Sequence, residues 1–413
     1  MARTKPSDRH ESLARPKISL CGREAPIEPK HGHRYRRIVA AYSDDFGPFD
    51  DHVWLNCAHQ GPLPKVAVRQ ALAALEQKIA PYRLPYTAFD EVPARLRAAL
   101  GSVVGCPPDE IILGNSTSYG LNLLVQGLPL HDGDEVLLVD GDFPATVITW
   151  LPLRRRGVKI RLLKPTEWPP SPEEIEAALT PRTRVFCSSW VFSFFGSAID
   201  IDRIGRICRE RDVVFVLNSS QATGARHIDL SAGSVDCLVS CGFKWLCGPY
   251  GTGFSWIRPE VLKTLHYEQA YWLAHASPRA PAYELKEDVG AGRYDVFGTA
   301  NFLNFMTWTA SVEYLLDKDI RSIQTYDDGL VDRVVGGITS AGYRLVSPTA
   351  GPQRSTLVLF SHEDPSRNAA IHKRLQQEGM HIEERDQKLR ISAHLYNTTD
   401  DIDRTIGLLA EFA

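Results

Sequence analysis

The chain reads as an α/β protein, with a large domain around a mostly parallel seven-stranded sheet and a small C-terminal α+β domain. Three observations carry this. From about residue 64, short apolar, β-branched segments alternate with helical stretches, the pattern of a parallel sheet with crossover helices. Segments such as VVFVL (213–217) are apolar throughout, as strands are when helices cover both faces. After about residue 302 the alternation gives way to long helices and a shorter strand–helix pattern.

In order, residues 64–80 and 91–104 have the spacing of amphipathic helices. Strands are expected at 110–113, 135–140, 158–163, 184–188, 213–217, 237–240 and 253–257. A helical stretch at 303–338 leads to a strand at 355–361, a helix at 366–378, a strand at 388–393 and a helix at 400–411. The expected organisation is an arm over 1–37, a large domain over 38–302 with 38–63 as an entrance segment, and a small domain over 303–413.

Composition excludes several classes. A net charge of −3 gives no global electrostatic case for nucleic acid or an anionic membrane. No apolar run approaches the ~20 residues that span a bilayer. Eight scattered cysteines suit a reducing cytoplasm better than a disulfide framework, and Cys237, Cys241 and Cys247 lack the second cluster that a metal site needs. Residues 1–37 carry ten Lys/Arg, four prolines and no hydrophobic periodicity, which reads as a flexible basic arm without a signal-type apolar core.

Ligands of open α/β sheets bind beyond the carboxyl ends of the strands, and the chemistry-bearing motifs follow strands here. GNSTSYG (114–120) places Ser116, Thr117 and Ser118 at a helix start, where free N–H groups and hydroxyls grip an anion or merely cap the helix. GDFPAT (141–146) puts Phe143 at a strand end, as a stacking ring or an ordinary core side chain. LNSSQATG (217–224) carries Asn218 and Gln221. CGFKWLCGPYGTG (241–253) carries Lys244 between hydrophobic neighbours; a desolvated lysine has a lowered pKa and forms Schiff bases.

Taken in order, these motifs resemble the class V aminotransferase family of fold-type I pyridoxal 5′-phosphate (PLP) enzymes, in its isopenicillin N epimerase-like and cysteine desulfurase-like branch. The likeness runs from LNCAHQGPLP (55–64) to ISAHLYNTTDDID (391–403). It implies that Lys244 is the Schiff-base lysine, that Gln221 and Ser193 lie near the cofactor's phenolic oxygen, and that Ser116, Thr117 and Ser118 hold its phosphate. Phe143 takes the ring-stacking position and Asn218 the position facing the pyridine nitrogen. Gly298 and Thr299, in FGTAN, match the segment that reaches the phosphate of a neighbouring subunit, implying a homodimer with shared sites. Arg390, in LRISAHLYN, matches the arginine for a substrate carboxylate, with Asn56 and His59 in a loop nearby.

The departures shape the functional expectation. Asn218 stands where the family has an aspartate that keeps the ring nitrogen protonated, so the ring is a weaker electron sink. Ser193 replaces a frequent Asn, and residues 379–389 lack the cysteine that desulfurases use. The expected activity is therefore epimerase or C–S β-eliminating lyase chemistry on an amino acid or amino-acid conjugate. The alternatives are an aminotransferase or decarboxylating deaminase, or a catalytically impaired PLP-binding scaffold.

Overall fold

A computed structural model describes residues 42–266, 269–271, 290–297 and 301–412. Thirteen strands are described. A short one, β1 (Val53–Trp54), precedes the seven of the main sheet: β2 (Ile111–Gly114), β3 (Glu135–Val139), β4 (Lys159–Leu163), β5 (Thr183–Ser189), β6 (Val214–Asn218), β7 (Cys237–Cys241) and β8 (Gly253–Ile257). The C-terminal region adds β9 (Arg344–Leu345), β10 (Val358–Ser361), β11 (Met380–His381), β12 (Glu383–Arg385) and β13 (Lys388–Ile391).

The main sheet has the order β2-β8-β7-β6-β5-β3-β4, and only β8 runs against its neighbours. The period of two divides its side chains between two cores. Leu137, Phe186, Phe215, Leu217 and Leu238 pack on one face; Val136, Leu138, Val185, Val216 and Val239 pack on the other. All seven expected main-sheet strands form, with bounds shifted by a residue or two.

The expected helical stretch 303–338 is two helices, Phe302–Asp317 and Ile320–Ser340. The break lies at Asp319, whose φ of 64° ends one helix while its carboxylate caps the next by accepting from Ser322 N. The C-terminal sheet, β12-β13-β10-β9, is antiparallel. Its core joins Phe360, Leu389 and Ile391 to Ile402 and Leu409 of the last helix, which a Thr398–Asp401 capping box opens.

Four short strands are absent from the sequence reading: β1, β9, β11 and β12. The first matters for the site. β1 pairs in parallel with β11, and Asn56 bridges to Ser392, so residues 53–57 lie along the C-terminal region and contribute Val53 and Leu55 to its core. The expected arm (1–37) and the Gly298–Thr299 segment lie outside the described residues.

Candidate active site

The carboxyl ends of the parallel strands converge on a cavity of about 530 Å³. Ser116, Thr117, Ser118, Phe143, Ser193, Asn218, Gln221, Lys244, His59 and Arg390 all line it. Asn56 does not line the cavity but holds Arg390 by accepting its Nη2–H at 3.1 Å. The sequence reading missed Ser189, Ser220, Tyr250, Glu383 and Arg385, which also face the cavity.

After β2, Ser116 caps the helix Thr117–Gly127, its hydroxyl accepting from Tyr119 N at 3.2 Å. Capping and anion binding share this geometry, because the first N–H groups of the helix remain aimed outward. Thr117 Oγ1 lies 2.7 Å from Ser220 Oγ, tying the turn to β6. Beneath the turn runs Gly253, where a Cβ would come within 2.7 Å of the Ser116 backbone, so only glycine lets β8 pass.

After β3, the buried Asp142 carboxylate accepts from Phe143 N at 2.6 Å and from Ser189 N at 2.8 Å. Burial raises its pKa to about 6 against these hydrogen bonds. The effect is to fix Phe143 at the strand end, where its ring centroid lies 5.4 Å from Lys244 Nζ. Phe143 is therefore a cavity-wall side chain rather than a core one. Phe192 and Phe195, in the neighbouring segment 192–195, instead pack on Trp168 and serve as structure.

After β6, the Asn218 amide is held on both sides. Its Oδ1 accepts from Ser220 N at 3.1 Å and Ser220 Oγ at 2.7 Å, and its Nδ2 donates to Thr146 Oγ1 at 2.9 Å. Gln221 is more fully committed. Its Oε1 accepts from the Trp245 indole N–H at 2.9 Å, and its Nε2 donates to Ala58 O at 3.0 Å and Ser193 Oγ at 3.1 Å. An indole N–H only donates, so the Gln221 amide has one orientation and both its N–H groups are spent. The hydroxyl proton of Ser193 is left to serve the cavity.

After β7, Lys244 enters the cavity between Phe143 and Phe243 and makes no hydrogen bond among the described residues. Burial pushes its ammonium below the usual amine range. The Lys244 segment is clamped from two sides. Gly61 N donates to Phe243 O at 2.9 Å, and the buried His394 ring reaches Trp245 O at 3.2 Å. His394 also contacts the Asp327 carboxylate at 2.7 Å.

On the C-terminal side, Arg390 is buried, which lowers its pKa to about 10. Its Nη1 donates to Ser193 O at 3.3 Å, and its Nε is buried without a partner. β12 and β13 form a hairpin with a two-residue turn, Asp386 and Gln387, at φ values of 51° and 56°. In its register Glu383 lies opposite Arg390, so alternation carries Glu383 and Arg385 to the cavity face. The run EERDQK (383–388) is polar throughout, so no period of two marked the strands and the segment was not separable from a loop.

This donor set fits PLP: a desolvated amine with no acceptor, a ring-sized aromatic wall, hydroxyls at a helix N-terminus, and a guanidinium in the lining for an anionic substrate group. Comparisons with known proteins agree. The isopenicillin N epimerase of Streptomyces clavuligerus is 27% identical over 373 residues, covering 86% of this chain and 93% of that protein. A probable cysteine desulfurase of Methanothermobacter thermautotrophicus is 28% identical, covering 70% of this chain and 73% of its own length. The solved cystine C–S lyase C-DES, in complex with cysteine persulfide, superposes with a TM-score of 0.81 over 89% of this chain and 99% of that one, at 20% identity, a likeness of fold. Residues 87–405 match the profile of the aminotransferase class-V family, and the chain belongs to that family, whose cofactor is pyridoxal 5′-phosphate.

Proposed function

We propose that the chain acts at Cα or Cβ of an amino acid or amino-acid conjugate, by epimerisation or C–S β-elimination. The orientation of the Asn218 amide carries this reading. A backbone N–H can only donate, so Ser220 N fixes which end of the amide is oxygen, and Thr146 takes one hydrogen of Nδ2. The remaining group is the second Nδ2–H. A donor suits an unprotonated ring nitrogen and holds no proton there. When bound, the cofactor would supply an electron sink for charge at the substrate Cα, a weaker one with a neutral ring nitrogen facing Asn218. That favours outcomes in which charge at Cα is short-lived: reprotonation, or loss of sulfur from Cβ.

The chain's own residues divide the work. Lys244 takes the Cα proton and returns it, burial holding its ammonium below the usual amine range. Arg390, in the cavity lining, receives the substrate carboxylate. Phe143, Asn218 and the Ser193 hydroxyl orient the ring, and the Ser116–Ser118 turn holds the phosphate. The persulfide route of desulfurases lacks its nucleophile, because a tight hairpin without cysteine occupies residues 383–388.

Asn218→Asp tests the reading. Placing a charge at the ring nitrogen raises the yield of the amine form of the cofactor, relative to Cα-deuterium exchange, by roughly tenfold or more. An unchanged partition in the variant counts against the weakened sink. A wild-type protein that already converts its cofactor stoichiometrically, or releases carbon dioxide, is an aminotransferase or a decarboxylating deaminase instead.

We further infer a homodimer in a reducing compartment. The seven cysteines among the described residues are unpaired. The helix Lys65–Ile79 exposes Val68, Leu72, Leu75 and Ile79 at the spacing of one helical face, and Tyr82 and Tyr86 extend the patch. A second copy of this chain is the occupant that the family resemblance implies. Sedimentation of the wild type then gives twice the chain mass, and the double variant Leu72→Lys, Ile79→Lys sediments as a monomer. A monomeric wild type refutes the dimer. No helix among the described residues is long and apolar enough to cross a membrane.

A further inference from the structure

One carboxylate in the cavity is not used by the chemistry proposed above. Glu383 lies opposite Arg390 across the β12–β13 ladder, so the two side chains share a face. Its Oε2 accepts from Asn56 Nδ2 at 3.0 Å and stands 3.7 Å from Arg390 Nη2, which itself donates to Asn56 Oδ1 at 3.1 Å. The three side chains close a triangle at the place where a substrate carboxylate is to sit.

When that carboxylate takes the Arg390 fork, two anions share one guanidinium, an arrangement that like-charge repulsion disfavours. Glu383 then needs another donor. Arg385, the other cation on this face, lies over the ring of Phe194, 5.1 Å from its centroid, and makes no ion pair with Glu383 among the described residues. The lining also holds the donors His59, Ser193 and Tyr250, none of which hydrogen-bonds the Glu383 side chain among the described residues. Among the described residues only Asn56 hydrogen-bonds the Glu383 side chain and only Arg390 pairs with it, so a donor on the ligand takes the place that Arg390 gives up.

We propose that Glu383 is a specificity-determining residue that selects amino acids carrying a cationic or N–H-donating side chain. This rests on the reading that an amino acid binds here with its carboxylate on Arg390. A carboxylate in a cavity partly walled by aromatic rings suits such a side chain twice over. The rings cover its methylenes and face its charge, and Glu383 supplies the charge-assisted hydrogen bond.

The test is calorimetric binding to the cofactor-loaded protein, with L-ornithine, L-norvaline and L-glutamate as probes, in the wild type and in Glu383→Gln. The wild type binds ornithine more tightly than norvaline by on the order of tenfold or more, and glutamate most weakly. In Glu383→Gln the ornithine preference collapses to within about twofold, while norvaline and glutamate bind no more weakly than before. Equal wild-type affinities, a preference that survives in the variant, or a uniform gain for all three probes overturns the proposal. Absence of binding by all three to both proteins overturns the amino-acid reading as well, and so separates the two failures.

Discussion

Lys244→Ala lowers Cα-proton exchange by on the order of 10⁴-fold and leaves the fold intact. The argument begins with burial. The lysine sits between Phe143 and Phe243, its Nζ 5.4 Å and 5.9 Å from their centroids, with no hydrogen bond among the described residues. A buried amine without a partner contributes nothing to stability, because desolvation disfavours its charged form. The folded state therefore tolerates the loss. Catalysis does not, since no other described amine lines the cavity to exchange the proton at Cα. Lys244→Arg is no better, because a guanidinium stays protonated and cannot act as base. Small primary amines added to the alanine variant restore part of the rate, with a dependence on amine basicity that a structural defect would not produce. Deuterium exchange followed by NMR reads the outcome; a variant retaining a tenth or more of the wild-type rate contradicts the assignment.

Asp327→Ala destabilises the fold by about 3–5 kcal/mol. Asp327 and His394 are both fully buried and meet at 2.7 Å. The ring's other nitrogen faces Trp245 O, which only accepts, so it carries a hydrogen. Burial disfavours the charged ring, but the adjacent Asp327 carboxylate outweighs it by charge and hydrogen bond and raises the His394 pKa to about 10. A histidine whose folded pKa is raised contributes stability that is fully present below its ordinary value of about 6.5 and is lost as the pH rises through about 10. Denaturant midpoints measured from about pH 6 to about pH 11 should fall with rising pH in the wild type, and show little such fall in Asp327→Asn. The pair matters for function through its position. It joins residue 394, beyond β13, to the carbonyl that follows Lys244, so loosening it loosens the lysine. A flat pH profile in the wild type would remove this role.

The main sheet and most of the cavity were legible because both follow from local patterns. VVFVL cannot be anything but a doubly covered strand in a chain of this kind, and each functional motif follows such a strand. Lys244 announced itself by its apolar setting. The sequence did not disclose pairings between distant segments. β1 is two residues long, and nothing in LNCAHQGP says that it lies along β11 and bridges Ser392. Asn56 reaches Arg390 only through that non-local pairing. Glu383 was invisible for a related reason: its meaning lies in its register with Arg390, set by a two-residue turn. The orientation of the Asn218 amide depends on Ser220 and Thr146, the latter 72 residues away. Identity at position 218 was readable, but which end of the side chain is free was not.

The central claim is that Lys244 carries the cofactor in an imine linkage and that the surrounding residues act on it. Borohydride reduction of the purified, cofactor-loaded protein, followed by peptide mapping, tests it directly. The account predicts loss of the visible absorbance and a stable phosphopyridoxyl group on the peptide containing Lys244, with no label in Lys244→Ala. A wild-type protein that stays colourless with added PLP, or a label on a different lysine, would contradict it.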